Sequence, residues 1–161
     1  MELRTDKIRA CFDRKIGNFT ELWNLSTNTN YVRCAPRDPL IELYGLKNGE
    51  RVKLSGHISD EAEAPDALIL SYDSFGEYDI SAKVTCRCEQ DRLVFSAEIC
   101  NHSTIDVTEI LMPHLGGIYL GNGQKDYLIY PHHAGDKTED PVYNYAENRL
   151  TFWRGCSVPF E

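Results

Sequence analysis

The stretch from Ile80 to Ile99 constrains the fold more than any other. Ile80, Ala82, Val84, Cys86 and Cys88 fall at every second position, with Ser81, Lys83, Thr85 and Arg87 between them. A period of two places one set on each face of an extended strand. Glu89-Gln90-Asp91 makes a tight turn. Leu93, Phe95, Ala97 and Ile99 then repeat the alternation against Val94, Ser96, Glu98 and Cys100. The two runs predict an antiparallel hairpin with one face in the core and the other wet, burying Val84, Cys86, Leu93, Phe95, Ala97 and Ile99.

The remaining segments follow the same habit. Ile8, Ala10 and Phe12 alternate, Asp13 to Asn18 is turn material, and Phe19 to Leu25 can pair back as a hairpin. Asn24 to Asn30 is a polar bend. Pro36 and Pro39 keep their connection from being helical. Leu40 to Leu46 and Arg51 to Leu54 flank Asn48-Gly49, whose residues tolerate positive φ and so signal a hairpin turn. Further strands are expected at Ala67 to Tyr72, Ile105 to Met112, Tyr127 to Tyr130 and Arg149 to Trp153. Asp140 to Glu147 allows one short helix. Short strands at this spacing predict an all-β fold, an antiparallel two-sheet β-sandwich. A length of 161 residues suits one domain, 1–161. All-β sandwiches also run longer, and the apolar end at Phe152 to Glu161 suggests the N-terminal part of a longer protein.

Lys and Arg number 17 against 25 Asp and Glu, a net charge of −8, which disfavours nucleic acid and anionic membrane partners. The acidic patch Asp60 to Asp66 is expected to be a solvated loop. No apolar run approaches a membrane span, and Met1 to Lys15 lacks a signal-peptide core, so a cytoplasmic location is expected. Cys86 and Cys88 share one face of one strand, with Cα atoms about 6.5 Å apart and parallel side chains, a poor disulfide geometry. All six cysteines are therefore expected as free thiols. Cys-Arg-Cys is not a zinc spacing, and no metal or other cofactor is expected.

Ile110 to Pro141 is the irregular, polar stretch where aromatic, imidazole and carboxylate groups crowd together. Tyr119, Tyr127, Tyr130, Tyr143, Tyr145 and Trp153 enrich the C-terminal half in rings. Such rings stack on the C–H faces of sugars, or they pack a β core, and both readings stand. Tyr127, Tyr130, His132, His133, Asp136 and Trp153 form the candidate carbohydrate site. His132 and His133 are adjacent, so a strand would point them to opposite faces; backbone-bonded loop imidazoles are the plainer reading, as for His114. Asp136, Glu139 and Asp140 lie in what reads as a solvated loop. Paired catalytic carboxylates would need set separations across a glycosidic bond. Gly116-Gly117 and Gly121-Asn122-Gly123 lack the following Lys-Ser/Thr of a phosphate loop, and no serine occupies a Gly-x-Ser-x-Gly elbow.

The segments CFDRKIGNFTELWNLSTNTNYV and ISAKVTCRCEQDRLVFSAEICNHSTIDVTEILMP resemble the galactose-mutarotase-like β-supersandwich domains at the N-terminus of many glycoside hydrolases. DYLIYPHHAGDKTEDP is similar to a loop of glycoside-hydrolase-like proteins related to endo-α-N-acetylgalactosaminidases. The resemblance implies a non-catalytic, carbohydrate-binding accessory domain beside an adjoining catalytic barrel that holds the acids. Two alternatives stay open. One is a structural interaction module packing on that missing barrel. The other is an aldose-epimerase-like enzyme with His132 or His133 as acid and a nearby carboxylate as base.

Overall fold

The computed structural model describes residues 1–118 throughout, together with the backbone strands Tyr127–Tyr130 and Asp136–Glu139. The chain divides into two compact units, Met1–Tyr119 and Leu120–Glu161. Among the described residues the structure is all-β, antiparallel and without helix. The expected helix within Asp140 to Glu147 and the expected strand Arg149 to Trp153 lie outside the described residues.

The first sheet is an N-terminal meander: β1 (Glu2–Arg4), β2 (Ile8–Phe12), β3 (Phe19–Asn24) and β4 (Thr29–Asn30), in sequence order. The second holds β5 (Glu42–Lys47), β6 (Glu50–Leu54) and β11 (Asp106–Leu111), in the order β11-β5-β6. The third holds β7 (Asp60–Ala64), β8 (Ala67–Tyr72), β9 (Ile80–Glu89) and β10 (Arg92–Asn101), in the order β10-β9-β8-β7. β12 (Tyr127–Tyr130) and β13 (Asp136–Glu139) form a separate hairpin.

The Ile80–Ile99 alternation gives the expected pairing, with Phe95 opposite Cys86 and Ala97 opposite Val84. Val84 and Cys86 are buried as anticipated. Leu93, Phe95, Ala97 and Ile99 are only half-buried, which corrects the expectation for β10. The reason is position: β10 is the edge strand of its sheet, so its inward row is covered on one flank only.

The acidic stretch is also corrected. Asp60–Ala64 is a strand, paired through Glu61 to Leu70 and Glu63 to Leu68, and only Pro65-Asp66 turns the chain. Its exposed carboxylates blunt a sheet edge, a common defence against edge-to-edge pairing. Arg14 holds Glu61 and, at 3.7 Å, Glu63, binding this edge to the first sheet's turn. Asp136–Glu139 is likewise a strand rather than the solvated loop expected. Four β-prone partners, Tyr127 to Tyr130, supply a ladder that outweighs its weak intrinsic preference.

One hydrophobic cluster joins three sheets. It draws Leu3, Ala10, Phe12 and Phe19 from the first, Leu43 and Leu54 from the second, and Leu68, Leu70, Tyr72, Ile80, Val84 and Cys86 from the third. This is a β-sandwich-like arrangement. Phe19 is the hinge of its aromatic part, 4.8 Å from Phe12 and edge-on to Phe95 at 6.1 Å. Such pairs contribute about 1 kcal/mol each beyond area burial.

Asn18 fastens these layers and is fully buried. Its Nδ2 donates to the carbonyls of Asp38 at 2.9 Å and His114 at 2.8 Å, and its Oδ1 accepts the Phe19 N–H at 2.8 Å. Burial also removes Asn18-Phe19-Thr20 as a glycosylation acceptor in the folded chain. Asn18→Asp replaces two donors with an acceptor facing two carbonyls. It should destabilise the chain by about 3 kcal/mol in urea unfolding. Unchanged stability would show that these bonds do not hold the layers.

The cysteines divide by burial. Cys11, Cys34, Cys86, Cys88 and Cys100 are free thiols, and Cys156 lies outside the described residues. Burial pushes the Cys86 thiol up to about 12 and raises that of Cys88. Cys34 and Cys100 are exposed. At pH 8, peptide mapping after brief alkylation should find Cys34 and Cys100 modified. Cys86 and Cys88 should be modified only after unfolding.

Candidate functional site

Polar side chains of the first unit reach concave or buried positions in several places. One is an open cleft of about 630 Å³ between the N-terminal sheet and the β9–β10 hairpin. Its apolar wall is Ile8, Phe19, Leu22, Leu93 and Phe95, with Tyr31 and Leu115 beside it. Its polar rim is Lys7, Asn24, Ser26, Asp91 and Arg92.

Local structure explains the cleft. A register shift between Cys11 and Phe12 separates the Phe12–Phe19 pair from the Cys11–Glu21 pair. Leu22 thereby shares the inward face with its partner Ala10, while Trp23 pairs with Arg9 on the outer face. Trp23 borders the cleft, but its indole N–H donates to Glu21 Oε2 at 2.7 Å. Arg9 holds Glu21 at 3.1 Å and Glu2 at 2.9 Å, completing that outer network.

The facing wall is the half-buried inward row of β10. Thr5 Oγ1 donates to the Gln90 carbonyl at 3.0 Å, and Lys7 lies 3.7 Å from Asp91. These contacts hold the hairpin tip against the N-terminal sheet and set the width of the mouth. Asn24 Oδ1 accepts the N–H groups of Ser26 and Thr27, fixing the bend beyond β3. The rim thus offers amide, hydroxyl, carboxylate and guanidinium groups around an apolar floor. Its volume lies within the roughly 300–1,000 Å³ typical of small-molecule sites.

A second place is a row of charges on β5, β6 and β11. Glu42 is 2 % exposed. Lys53 pairs with its Oε1, and the Tyr44 hydroxyl donates to Oε2 at 3.1 Å. His114 Nδ1 lies 3.6 Å from the same oxygen, buried and without a hydrogen bond. Arg51 stacks 3.6 Å from the Tyr44 ring centre and grips both oxygens of Glu109, at 3.1 and 2.8 Å. The carboxylates raise the pKa of Lys53 and Arg51, and Arg51 lowers that of Glu109. Burial first, then the charge of Glu42, raises that of Tyr44.

Glu42 and His114 are an imidazole–carboxylate pair, the combination an epimerase would use. Both oxygens of Glu42 are already engaged, and neither residue lines the cleft. The arrangement is a buried anchor. His114 also serves through its backbone, which donates to Leu40 O at 2.9 Å and accepts from Asn18.

Of the six residues expected to form a carbohydrate site, Tyr127 and Tyr130 lie on β12 and Asp136 on β13. Tyr130 and Asp136 occupy facing register positions, and Tyr127 faces Glu139. His132, His133 and Trp153 lie outside the described residues. The cleft residues went unmarked in the sequence because Phe95 and Leu93 read as core. Glu42 had a usable signal. Once Asn48-Gly49 sets the hairpin, Lys53 pairs with Tyr44 and falls diagonal to Glu42 on one face. Among the described residues, no group of three His, Cys, Asp or Glu side chains could hold a metal ion.

The Glu42–Lys53 pair should respond asymmetrically. Lys53→Met leaves a buried carboxylate without its cation and should destabilise by about 3 kcal/mol. Glu42→Gln leaves Lys53, which reaches water, and should remove only about 1 kcal/mol. Equal losses in chemical denaturation would mean that Glu42 is not the buried, dependent partner. Comparison with protein-family models, curated proteins and solved structures found no match for this chain.

Proposed function

We propose that this chain is a non-catalytic carbohydrate-binding module of supersandwich type, accompanying an adjoining catalytic domain of glycoside-hydrolase kind. The observation that carries the proposal is the cleft: an apolar floor with aromatic side chains, rimmed by Asn24, Ser26, Asp91 and Arg92. A pyranose has the same division, with C–H faces that stack on rings and hydroxyls that seek planar polar groups. The resemblance of Cys11 to Val32 and of Ile80 to Pro113 to mutarotase-like domains supports the same choice.

The cleft is pre-formed by Thr5–Gln90 and Lys7–Asp91, so little ordering accompanies binding. It is also open, so few ligand atoms are fully buried. Affinity is therefore expected on the order of millimolar. The rim contributes no nucleophile with a matched base. Binding without turnover is the corresponding chemistry.

Calorimetric titration with galacto- and gluco-configured sugars tests the proposal. Saturable binding is expected, weakened about tenfold by Arg92→Ala or Tyr31→Ala, the loss of one directed or stacking contact. A loss confined to Tyr130→Ala would move the sugar to the second unit. No binding of any sugar would leave the structural-module reading, and release of aryl alcohol from glycosides would overturn the non-catalytic assignment.

A further inference from the structure

We infer that the first unit carries a separate oxyanion site, for a phosphate or sulfate group, in the small cavity between the Asp13–Gly17 turn, the Arg37–Pro39 loop and the end of β6. The cavity is about 200 Å³ and shares no lining residue with the cleft. Lys15, Arg37, Lys53 and His57 line it, with Asp38 as its one acidic lining residue. Lys53 is partly committed to Glu42. Three Lys and Arg against Asp38 and Glu42 leave one net positive charge, in a chain whose total is −8. Cations gathered around a concavity on an acidic protein mark an attraction for anions.

The second observation is independent of charge. Tyr72 also lines this cavity and is 2 % exposed, yet its hydroxyl has no hydrogen-bond partner among the described residues. Buried hydroxyls are ordinarily paired, and an orphan of this kind points to an acceptor brought from outside. Burial raises the phenol to about 12, so at neutral pH the group is an intact O–H donor. Its ring is fixed by stacking on Phe75 at 5.5 Å. Gly17 sits beside the hydroxyl. A Cβ there would lie 3.5 Å from the Tyr72 oxygen and 2.6 Å from Leu70 Cδ1.

The walls are held before any ligand arrives. Asp13 Oδ1 accepts the N–H groups of Lys15 at 2.7 Å and Ile16 at 3.0 Å. Leu40 N–H donates to Ile16 O at 3.0 Å, and Asn18 holds the Asp38 carbonyl at 2.9 Å. A fork-shaped guanidinium, two ammonium groups and a phenolic donor suit the several oxygens of a tetrahedral oxyanion.

The test is calorimetric titration and thermal unfolding of the 161-residue chain in Tris chloride. Sodium phosphate or sulfate is added, with sodium chloride holding ionic strength constant. Saturable heat and a rise in melting temperature are expected. Arg37→Gln and Tyr72→Phe should each weaken binding about tenfold, the loss of one charge-assisted or buried hydrogen bond. Tyr72→Phe should melt no lower than the parent without the anion, because it deletes an unpaired hydroxyl. That control separates loss of the site from loss of the fold. Lys7→Gln, at the other cleft, should leave anion binding unchanged. Galactose 6-sulfate is the parallel probe: tighter binding than sulfate assigns the group to a larger ligand, and equal binding assigns a free ion. No saturable response to phosphate or sulfate, or binding in Arg37→Gln and Tyr72→Phe as tight as in the parent, would overturn the inference.

Discussion

Three hydrogen bonds from one buried amide, that of Asn18, tie together segments that lie far apart in the chain. The partners sit 20 and 96 residues away, at Asp38 and His114, and next door at Phe19. Each acceptor is the backbone carbonyl of a residue outside the strands. An unpaired buried carbonyl is costly, so the amide fixes where the N-terminal turn, the Pro36–Pro39 connection and the segment after β11 can meet. Leu40 continues the seam, donating to Ile16 O and accepting from His114 N. Phe19, adjacent to the amide, then enters the core against Phe12 and Phe95. Polar fastening and apolar packing thus share one corner. The cleft and the small cavity both draw a wall from the strands and loops it aligns.

Sheet order supplies the second constraint. β11 does not pair with β10, its neighbour in sequence, but with β5, some sixty residues earlier. Gly45 permits this: a Cβ there would come within 2.9 Å of the Asp106 carbonyl. Close approach on that side aligns Glu109, Tyr44 and Lys53 in one cross-strand row. Charges of alternating sign in such rows attract across strands, and stacking of Arg51 on Tyr44 adds a partly desolvated contact. The mostly exposed pairs contribute little each, whereas the Glu42 end is buried and depends on Lys53.

Local pattern was readable and partner choice was not. The alternation of Ile80 to Cys88 matches its burial, and Asn48-Gly49 forms its turn with φ of 55° and 82°. Gln90 turns the chain as well, at φ 53°, without the residue chemistry that advertises such a conformation. β1 escaped notice because three residues carry too little periodicity, although Leu3 is buried. Asp60–Ala64 concealed a strand because its charges suit solvent and its ladder to β8 is invisible in its own composition. Among the candidate site residues, the facing positions of Tyr130 and Asp136 follow from a hairpin whose second strand, DKTE, has no strand-like pattern of its own.

The same edge position that leaves β10 half-buried also makes the cleft. Leu93 and Phe95 point inward by the pleat, yet among the described residues no strand lies beyond β10 to close the layer over them. Within the first unit the opposite wall stops short as well, where Asn24 bends the chain away and β4 is only two residues long. Apolar inward rows that overrun their cover must either accept water or accept a ligand with an apolar face. Polar groups at Asn24, Ser26, Asp91 and Arg92 ring that overrun. A continuous apolar rim would favour a protein surface, whereas alternating hydroxyl, amide and charged groups favour a small polyhydroxylated ligand. That contrast is the physical ground of the proposed sugar site.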